Sequence, residues 1–211
     1  MIKARWFGHS MWKVWNEKTS LIIDPFSNIG YPVPQDERAD FVMSSHDHFD
    51  HNNISLIKGS PKIINKQGYY SYEYLTVETF AVWHDENEGK QRGRNLLIRF
   101  ILDDVAFLHC GDLGHVPAAD IFTRLGRIDV LMIPVGGFYT IDAGAARTIV
   151  NRLSPQITLP MHYKTPVLDF PISGVEPFLK MMDNVVKINA PEVDLNRYLR
   201  GNRVTLVLNY E

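Results

Sequence analysis

The chain has one cysteine, Cys110. A single thiol cannot close an internal disulfide or build a metal site from several thiolates, so histidine and carboxylate side chains must do any metal binding. Long apolar runs are also missing: nowhere do about eighteen apolar residues follow one another. The start, Met1-Ile2-Lys3-Ala4-Arg5-Trp6-Phe7-Gly8-His9-Ser10, has early positive charge but neither an apolar secretory core nor a small-residue cleavage site. A cytoplasmic protein with no membrane partner is expected. Charge of one sign is scarce as well. With 22 Lys and Arg against 24 Asp and Glu, the formal net charge is −2, and no long block of like charges offers a footprint for duplex nucleic acid or an anionic membrane. There is no repeat at a fixed period and no low-complexity tract.

What is present fits one globular domain spanning 1–211. At 211 residues, 45% hydrophobic and 22% charged, the chain can bury one sizeable core. Ile2 to Phe7 and Met11 to Trp15 are aromatic and β-branched and flank Gly8-His9-Ser10, so they predict two strands joined by a tight turn. Leu21-Ile22-Ile23-Asp24-Pro25 predicts a strand stopped by proline. A loop with Gly30, Pro32 and Pro34 then leads into a strand over Asp40 to Ser44. A short helix is expected over Asn52 to Lys58, capped by Asn52 or Asn53. Strands are expected at Lys62 to Asn65, Glu73 to Val77 and Glu78 to Trp83, and a hairpin from Leu96 to Leu102 and Val105 to Cys110. The rhythm then alternates. Helical spacing over Pro117 to Leu125 and Asp142 to Leu153 separates apolar strands at Ile128 to Ile133 and Gln156 to Pro160. A helix within Ser173 to Met182, interrupted or begun by Pro177, precedes strands at Val185 to Ile188 and Arg203 to Leu208.

The densest chemistry lies in Ser45-His46-Asp47-His48-Phe49-Asp50-His51, directly after an apolar strand. In an extended loop His46 and His48 project to one side and can share an ion, while Asp50 and His51 can reach a second ion beside it. His84, Asp112 and His162 also follow predicted strands. Adding His84 to the first ion and His162 to the second, with Asp112 as bridge, gives each ion three protein ligands. Imidazole and carboxylate donors suit zinc and also admit manganese or iron.

These residues resemble, over nearly the whole chain, the metallo-β-lactamase-fold hydrolase superfamily. Gly8-His9-Ser10, Ile23-Asp24-Pro25 and Pro160-Met161-His162-Tyr163 are similar to the branch that contains L-ascorbate 6-phosphate lactonase. The resemblance implies an α+β fold, a four-layer αββα sandwich, with the site at one edge between the two sheets. Flavodiiron relatives have Glu where this chain has His48. RNA-cleaving relatives need an inserted domain for which there is no room, and thiol-ligand relatives place cysteine nearer Asp112 or His51 than Cys110 lies.

Two divalent ions beside Asp50 and Asp112 leave a net positive shell, which lowers the pKa of a bridging water and produces hydroxide. The expected reaction is therefore hydrolysis of a small anionic ester, phosphodiester or lactone, with Asp50, Asp112 and Asp47 as catalytic candidates. Asp47 is not needed as a ligand, so it either orients an imidazole, assists proton transfer or serves a turn. Substrate-side candidates are His9, Arg92, Asn95, His115, Tyr139 and Lys164, each following a strand or lying in a polar loop. Each also has a plainer reading as a turn, capping or solvated residue. Two rivals share the motif: a mononuclear iron oxygenase of the same fold and a metal-binding protein without turnover. Trp6, Trp12 and Trp15 are expected in the core or at a homo-oligomer contact rather than as a base-stacking platform.

Overall fold

Side chains along Leu21-Ile22-Ile23 alternate with the two-residue period of an extended chain. Leu21 and Ile23 enter one apolar cluster and Ile22 another. Phe41 and Met43 against Val42, and Trp6 against Phe7, divide in the same way. A sheet apolar on both faces must be covered on both.

The computed structural model describes residues 1–210. In chain order the first strands are β1 (Lys3–Gly8), β2 (Met11–Trp15), β3 (Ser20–Ile23), β4 (Phe41–Met43), β5 (Lys62–Ile64), β6 (Gly68–Ser71), β7 (Thr76–Trp83), β8 (Arg94–Leu102) and β9 (Val105–His109). Then come α1 (Ala119–Leu125), β10 (Val130–Pro134), α2 (Ala143–Leu153), β11 (Ile157–Met161), α3 (Glu176–Leu179), β12 (Val185–Ile188), β13 (Glu192–Asp194) and β14 (Val204–Leu208). They form a six-stranded sheet, β13-β1-β2-β3-β4-β5, and an eight-stranded sheet, β12-β14-β11-β10-β9-β8-β7-β6. Trp6, Trp12, Leu21 and Ile23 of the first share one buried cluster with Phe80, Phe100, Phe107 and Leu159 of the second. This is the α+β sandwich expected, with a metallo-β-lactamase arrangement of two sheets and few helices.

The two outer layers are unequal. β10 and β11 are buried at every position, as parallel strands covered on both faces are, and α2 packs against β10 with Ala146, Ile149 and Val150 inward. On the outer face of the smaller sheet, Ile22, Val42 and Met11 are covered by Phe26, Ile29, Tyr31, Ile57, Leu168 and Ile172, which lie in loops.

Several expectations need correction. The helix expected over Asn52 to Lys58 is one 3-10 turn at Ile54–Leu56. Neither asparagine caps it: Asn52 donates to Asp47 and Asn53 to the Phe26 carbonyl, and so short a segment cannot offset the cost of helix nucleation. The two strands expected at Glu73 to Val77 and Glu78 to Trp83 are one, β7, because no turn residue separates Val77 from Glu78. The helix expected within Ser173 to Met182 shrinks to α3, with Pro177 in its first turn, where no amide hydrogen bond is needed. β6 and β13, short edge strands with little apolar alternation, were not anticipated. No helix among the described residues is long and apolar enough to cross a membrane.

Phe100 and Phe107 sit opposite each other in the β8–β9 register, fully buried, with ring centroids 4.6 Å apart at 5°. Phe100→Ala leaves a cavity between the sheets and is expected to lower the unfolding free energy by about 3–5 kcal/mol, as read from denaturant titration.

Candidate metal centre

Strand direction brings the chemistry to one edge. β9 and β11 both run parallel to β10, and β7 is antiparallel to β8, itself antiparallel to β9. The C-terminal ends of β7, β9 and β11 therefore coincide, delivering His84, Asp112 and His162. β3 and β4 are likewise parallel and deliver Asp24 and Ser45-His46 from the other sheet. Two main-chain bonds stitch the sheets together there: Leu96 N donates to the Ser45 carbonyl (2.9 Å), and His162 N donates to the His9 carbonyl (3.1 Å).

The turn geometry is strained. His9, Asp24 and His162 each have φ of +49°, in the left-handed region that non-glycine residues seldom occupy. Gly111 has φ of +53°, and a Cβ there would overlap Asn95 Oδ1 and Ser45. Only glycine lets the β9 end come this close to the motif loop.

Asp24 organises the motif from behind. Its Oδ1 accepts from Ser45 N (2.7 Å), and its Oδ2 accepts from the Ser45 hydroxyl (2.7 Å) and His51 Nδ1 (2.9 Å). Because the Ser45 hydroxyl donates to Asp24, its oxygen accepts from His46 Nδ1 (2.9 Å). With a cation bound, both imidazoles would carry their proton on Nδ1 and present a bare Nε2 to the cleft, the tautomer a metal ligand requires.

Asp112 receives them from the front. Its Oδ1 lies 3.2 Å from His51 Nε2, and its Oδ2 lies 3.2 Å from His84 Nε2, 3.3 Å from His162 Nε2 and 3.9 Å from His46 Nε2. Asn95 fixes the turn beneath it, accepting from Asp112 N (3.0 Å) and donating to the Cys110 carbonyl (2.8 Å). His109 braces the same turn, donating from Nε2 to the Ser10 carbonyl (2.9 Å) and accepting from Gly111 N (3.1 Å).

Three groups of side chains each bring one ligand atom apiece within 4.8 Å of one another: His46, His48 and His84; His9, His51 and His162; His46, His51 and Asp112. Buried His51 Nε2 and Asp112 Oδ1 have no hydrogen-bond partner, although they face each other. His46 Nε2 and His48 Nδ1 converge at 3.0 Å. Lone pairs aimed at a common point in this way fit a divalent cation.

The electrostatics agree. Burial pushes the Asp112 carboxyl up, but the His162 and His51 imidazoles outweigh it and hold it well below its ordinary value. Burial likewise raises Asp24, and His51 and His109 bring it below its usual range. In His51 the balance reverses: burial favours the neutral ring, but Asp112 and Asp24 hold its pKa well above 6.5. His9 and His46, with weaker compensation, are pushed down to about 4 and about 3, first by burial and then by His162 and His51 respectively.

The structure brings His46, His48, Asp50, His51, His84, Asp112 and His162 to one place. His9 is fully buried beside them, with Nε2 3.2 Å from Asp50 Oδ2 and its ring 4.1 Å from that of His162. A cleft of about 500 Å³ opens over these groups, and Asp47, Arg92 and Tyr139 line it. Three of the substrate-side candidates stand elsewhere. Asn95 is buried beneath Asp112. His115 accepts from Trp83 N (3.3 Å) and faces a neighbouring depression. Lys164 donates to the Phe170 carbonyl (3.0 Å). Arg92 is presented by a loop wrapped around Asp85, whose Oδ1 accepts from Asn87 N (2.8 Å) and Gly89 N (3.0 Å) and whose Oδ2 accepts from Gln91 N (3.1 Å) and Arg92 N (2.8 Å).

Sequence reasoning missed Asp24, Ser45, Phe49 and Phe170 as parts of the site. An aspartate ending the apolar run Leu21-Ile22-Ile23 was the available signal for the first. Nothing local marked Phe170.

A family model described as Beta-lactamase superfamily domain matches residues 3–162. The chain is 31% identical over 196 residues to a UPF0173 metal-dependent hydrolase of Pyrococcus horikoshii, an alignment covering 78% of this chain and 86% of that protein. It is 28% identical to a UPF0173 metal-dependent hydrolase of Nitratidesulfovibrio vulgaris, with 97% and 95% covered. Among solved structures, one from Thermotoga maritima, described as a candidate Zn-dependent hydrolase of the metallo-β-lactamase superfamily, superposes with a TM-score of 0.84 at 31% identity over 99% of both chains.

Two outcomes are expected. Asp24→Asn removes the acceptor that orients His51, and about 10–100-fold weaker metal binding should appear in competition titrations with a chelator. The second concerns the metal-free protein. The unfolded chain protonates His9 and His46 near 6.5, whereas the folded chain does so only near 4 and 3. Their contribution to stability is therefore complete above 6.5 and is lost as the pH falls from there towards about 4 for His9 and about 3 for His46. His51 has the opposite sign, its contribution fading as pH rises through its elevated value. Unfolding free energy measured in chelator should peak near neutrality and fall on the acid side.

Proposed function

The chain belongs to the UPF0173 metal-dependent hydrolase family of the metallo-β-lactamase superfamily, and from that premise we propose that it binds two divalent cations and hydrolyses a small anionic ester, phosphodiester or lactone. Zinc is the first choice for a set of imidazoles and carboxylates, with manganese and iron as the other ions such donors accept. The observation that carries two ions rather than one is the position of Asp112. Oδ1 faces His51 at 3.2 Å, and Oδ2 lies between His84 at 3.2 Å and His162 at 3.3 Å, so a single carboxylate reaches imidazoles of both groups.

In this reading His46, His48 and His84 hold one cation, Asp50, His51 and His162 hold the other, and Asp112 joins them. Bound there, the ions supply Lewis acidity and acidify a water enough for attack near neutral pH. The chain supplies the rest. Asp24 and Ser45 fix two imidazoles by their Nδ1 protons, so that no reorientation is needed during reaction. His9 steadies Asp50 through Oδ2. Asp47, exposed on the cleft wall and held by Asn52, is placed to pass a proton between the cleft and solvent through its free carboxylate oxygen. Arg92 offers an anionic substrate a planar pair of donors. Hydrolysis consumes one water and releases an alcohol and an acid. The lactone is retained as a substrate because Gly8-His9-Ser10 and Pro160-Met161-His162-Tyr163 are similar to the lactonase branch.

Protein loaded with zinc and desalted should carry about two ions per chain by elemental analysis, and His84→Ala about one, with ester hydrolysis down on the order of 100-fold or more. Chelation should abolish turnover, and readdition of metal should restore it. Full activity without metal would overturn the proposal, as would one iron per chain together with oxygen uptake on a thiol substrate.

A further inference from the structure

The floor of the cleft is made of imidazoles and carboxylates, but its walls are aromatic. Phe49, Tyr139 and Phe170 line it with only one cationic side chain, Arg92, among the described residues. Phe49 lies between two residues of the metal motif and is 63% exposed, a large apolar surface left facing water on a loop otherwise committed to polar chemistry. Its backbone is fixed, since Ser27 N donates to the Phe49 carbonyl (3.1 Å). On another wall, Tyr139 and Phe170 meet nearly edge to face at 5.8 Å and 70°. The Phe170 edge rests on the His9 ring at 5.6 Å and 88°, which ties that wall to the floor. Arg92 stands with its guanidinium carbon 5.5 Å over the Tyr139 ring, which holds its charge beside the same wall.

A sugar-phosphate lactone, polar on every side, would have little use for these walls. The phenyl rings offer flat surface for an apolar ring, and aromatic pairs in offset or edge-on contact add stabilisation beyond area burial. The single guanidinium asks for one anionic group close to the ring. We propose that the substrate is an anionic ester or phosphodiester that carries a flat aromatic group on the non-leaving side of the scissile bond, with the ring seated among Phe49, Tyr139 and Phe170 and the anion directed to the metal floor and Arg92. This rests on the hydrolase reading above and adds the substrate class to it.

Two measurements on zinc-loaded protein separate the inference from that reading. The first compares binding of phenylphosphonate with methylphosphonate by calorimetry, which needs no turnover. The phenyl compound should bind about tenfold more tightly. Phe49→Ala and Phe170→Ala should each reduce that ratio towards one while retaining about two zinc ions per chain, and Arg92→Gln should weaken both ligands alike. The second compares kcat/KM for bis(4-nitrophenyl) phosphate with that for methyl 4-nitrophenyl phosphate, which share a leaving group. The ester with an aryl non-leaving group should again be favoured about tenfold, and the preference should shrink in the same two variants. Equal binding of the two phosphonates, or a phenyl preference that survives both phenylalanine substitutions, overturns the inference even if both phosphodiesters are hydrolysed. A phenyl preference with neither ester hydrolysed leaves the inference standing and counts against phosphodiester hydrolysis instead.

Discussion

A carboxylate charge enclosed by protein is the constraint on which the site is built. Asp112 is almost wholly removed from solvent, and an isolated ion there would neutralise itself. It stays ionised because imidazoles from the motif loop, from β7 and from β11 surround both its oxygens. Those imidazoles are buried too, and His51 needs an acceptor on its far side, which is why Asp24 is also buried. Negative and positive groups alternate from Asp24 through His51 to Asp112. Such a network is costly when partly satisfied and stabilising when a cation completes it, so metal binding and folding share their free energy.

Precision of this kind requires a rigid frame. The residues that turn into the site leave the ends of strands whose positions are fixed by ladder hydrogen bonds and by the cluster between the sheets. Left-handed backbone at His9, Asp24 and His162 is tolerated only because both flanks of each turn are anchored. The two bonds linking Leu96 to Ser45 and His162 to His9 keep the two sheet edges from drifting apart. The thinner, loop-built layer over the smaller sheet stands on the opposite face of that sheet from the shared core.

The convergence of the candidate ligands was legible in the chain because their signal is local: His46, His48, Asp50 and His51 occupy one short loop, and each remaining candidate follows an apolar strand. The sandwich followed from the same strand pattern and from the resemblance. Asp24 was harder to see, since its role depends on the parallel pairing of β3 with β4, which brings it to Ser45 across 21 residues. Asn95 and Lys164 had the right chemistry in the right region, but burial and a nearby carbonyl claimed their side chains. Phe170 belongs to the cleft only through long-range folding of the segment after β11. The helix expected at Asn52 failed because its two asparagines found partners in the motif loop and at Phe26.

Asp85 has a bearing on how this architecture can diversify. Its carboxylate holds the segment from Asn87 to Arg92 entirely through backbone amides. The side chains of Asn87, Lys90, Gln91 and Arg92 are therefore not what holds the loop to Asp85, and none of them is a candidate ligand. The loop that carries Arg92 to the cleft is thereby held independently of the candidate ligands, so exchange of the Arg92 side chain leaves their arrangement intact.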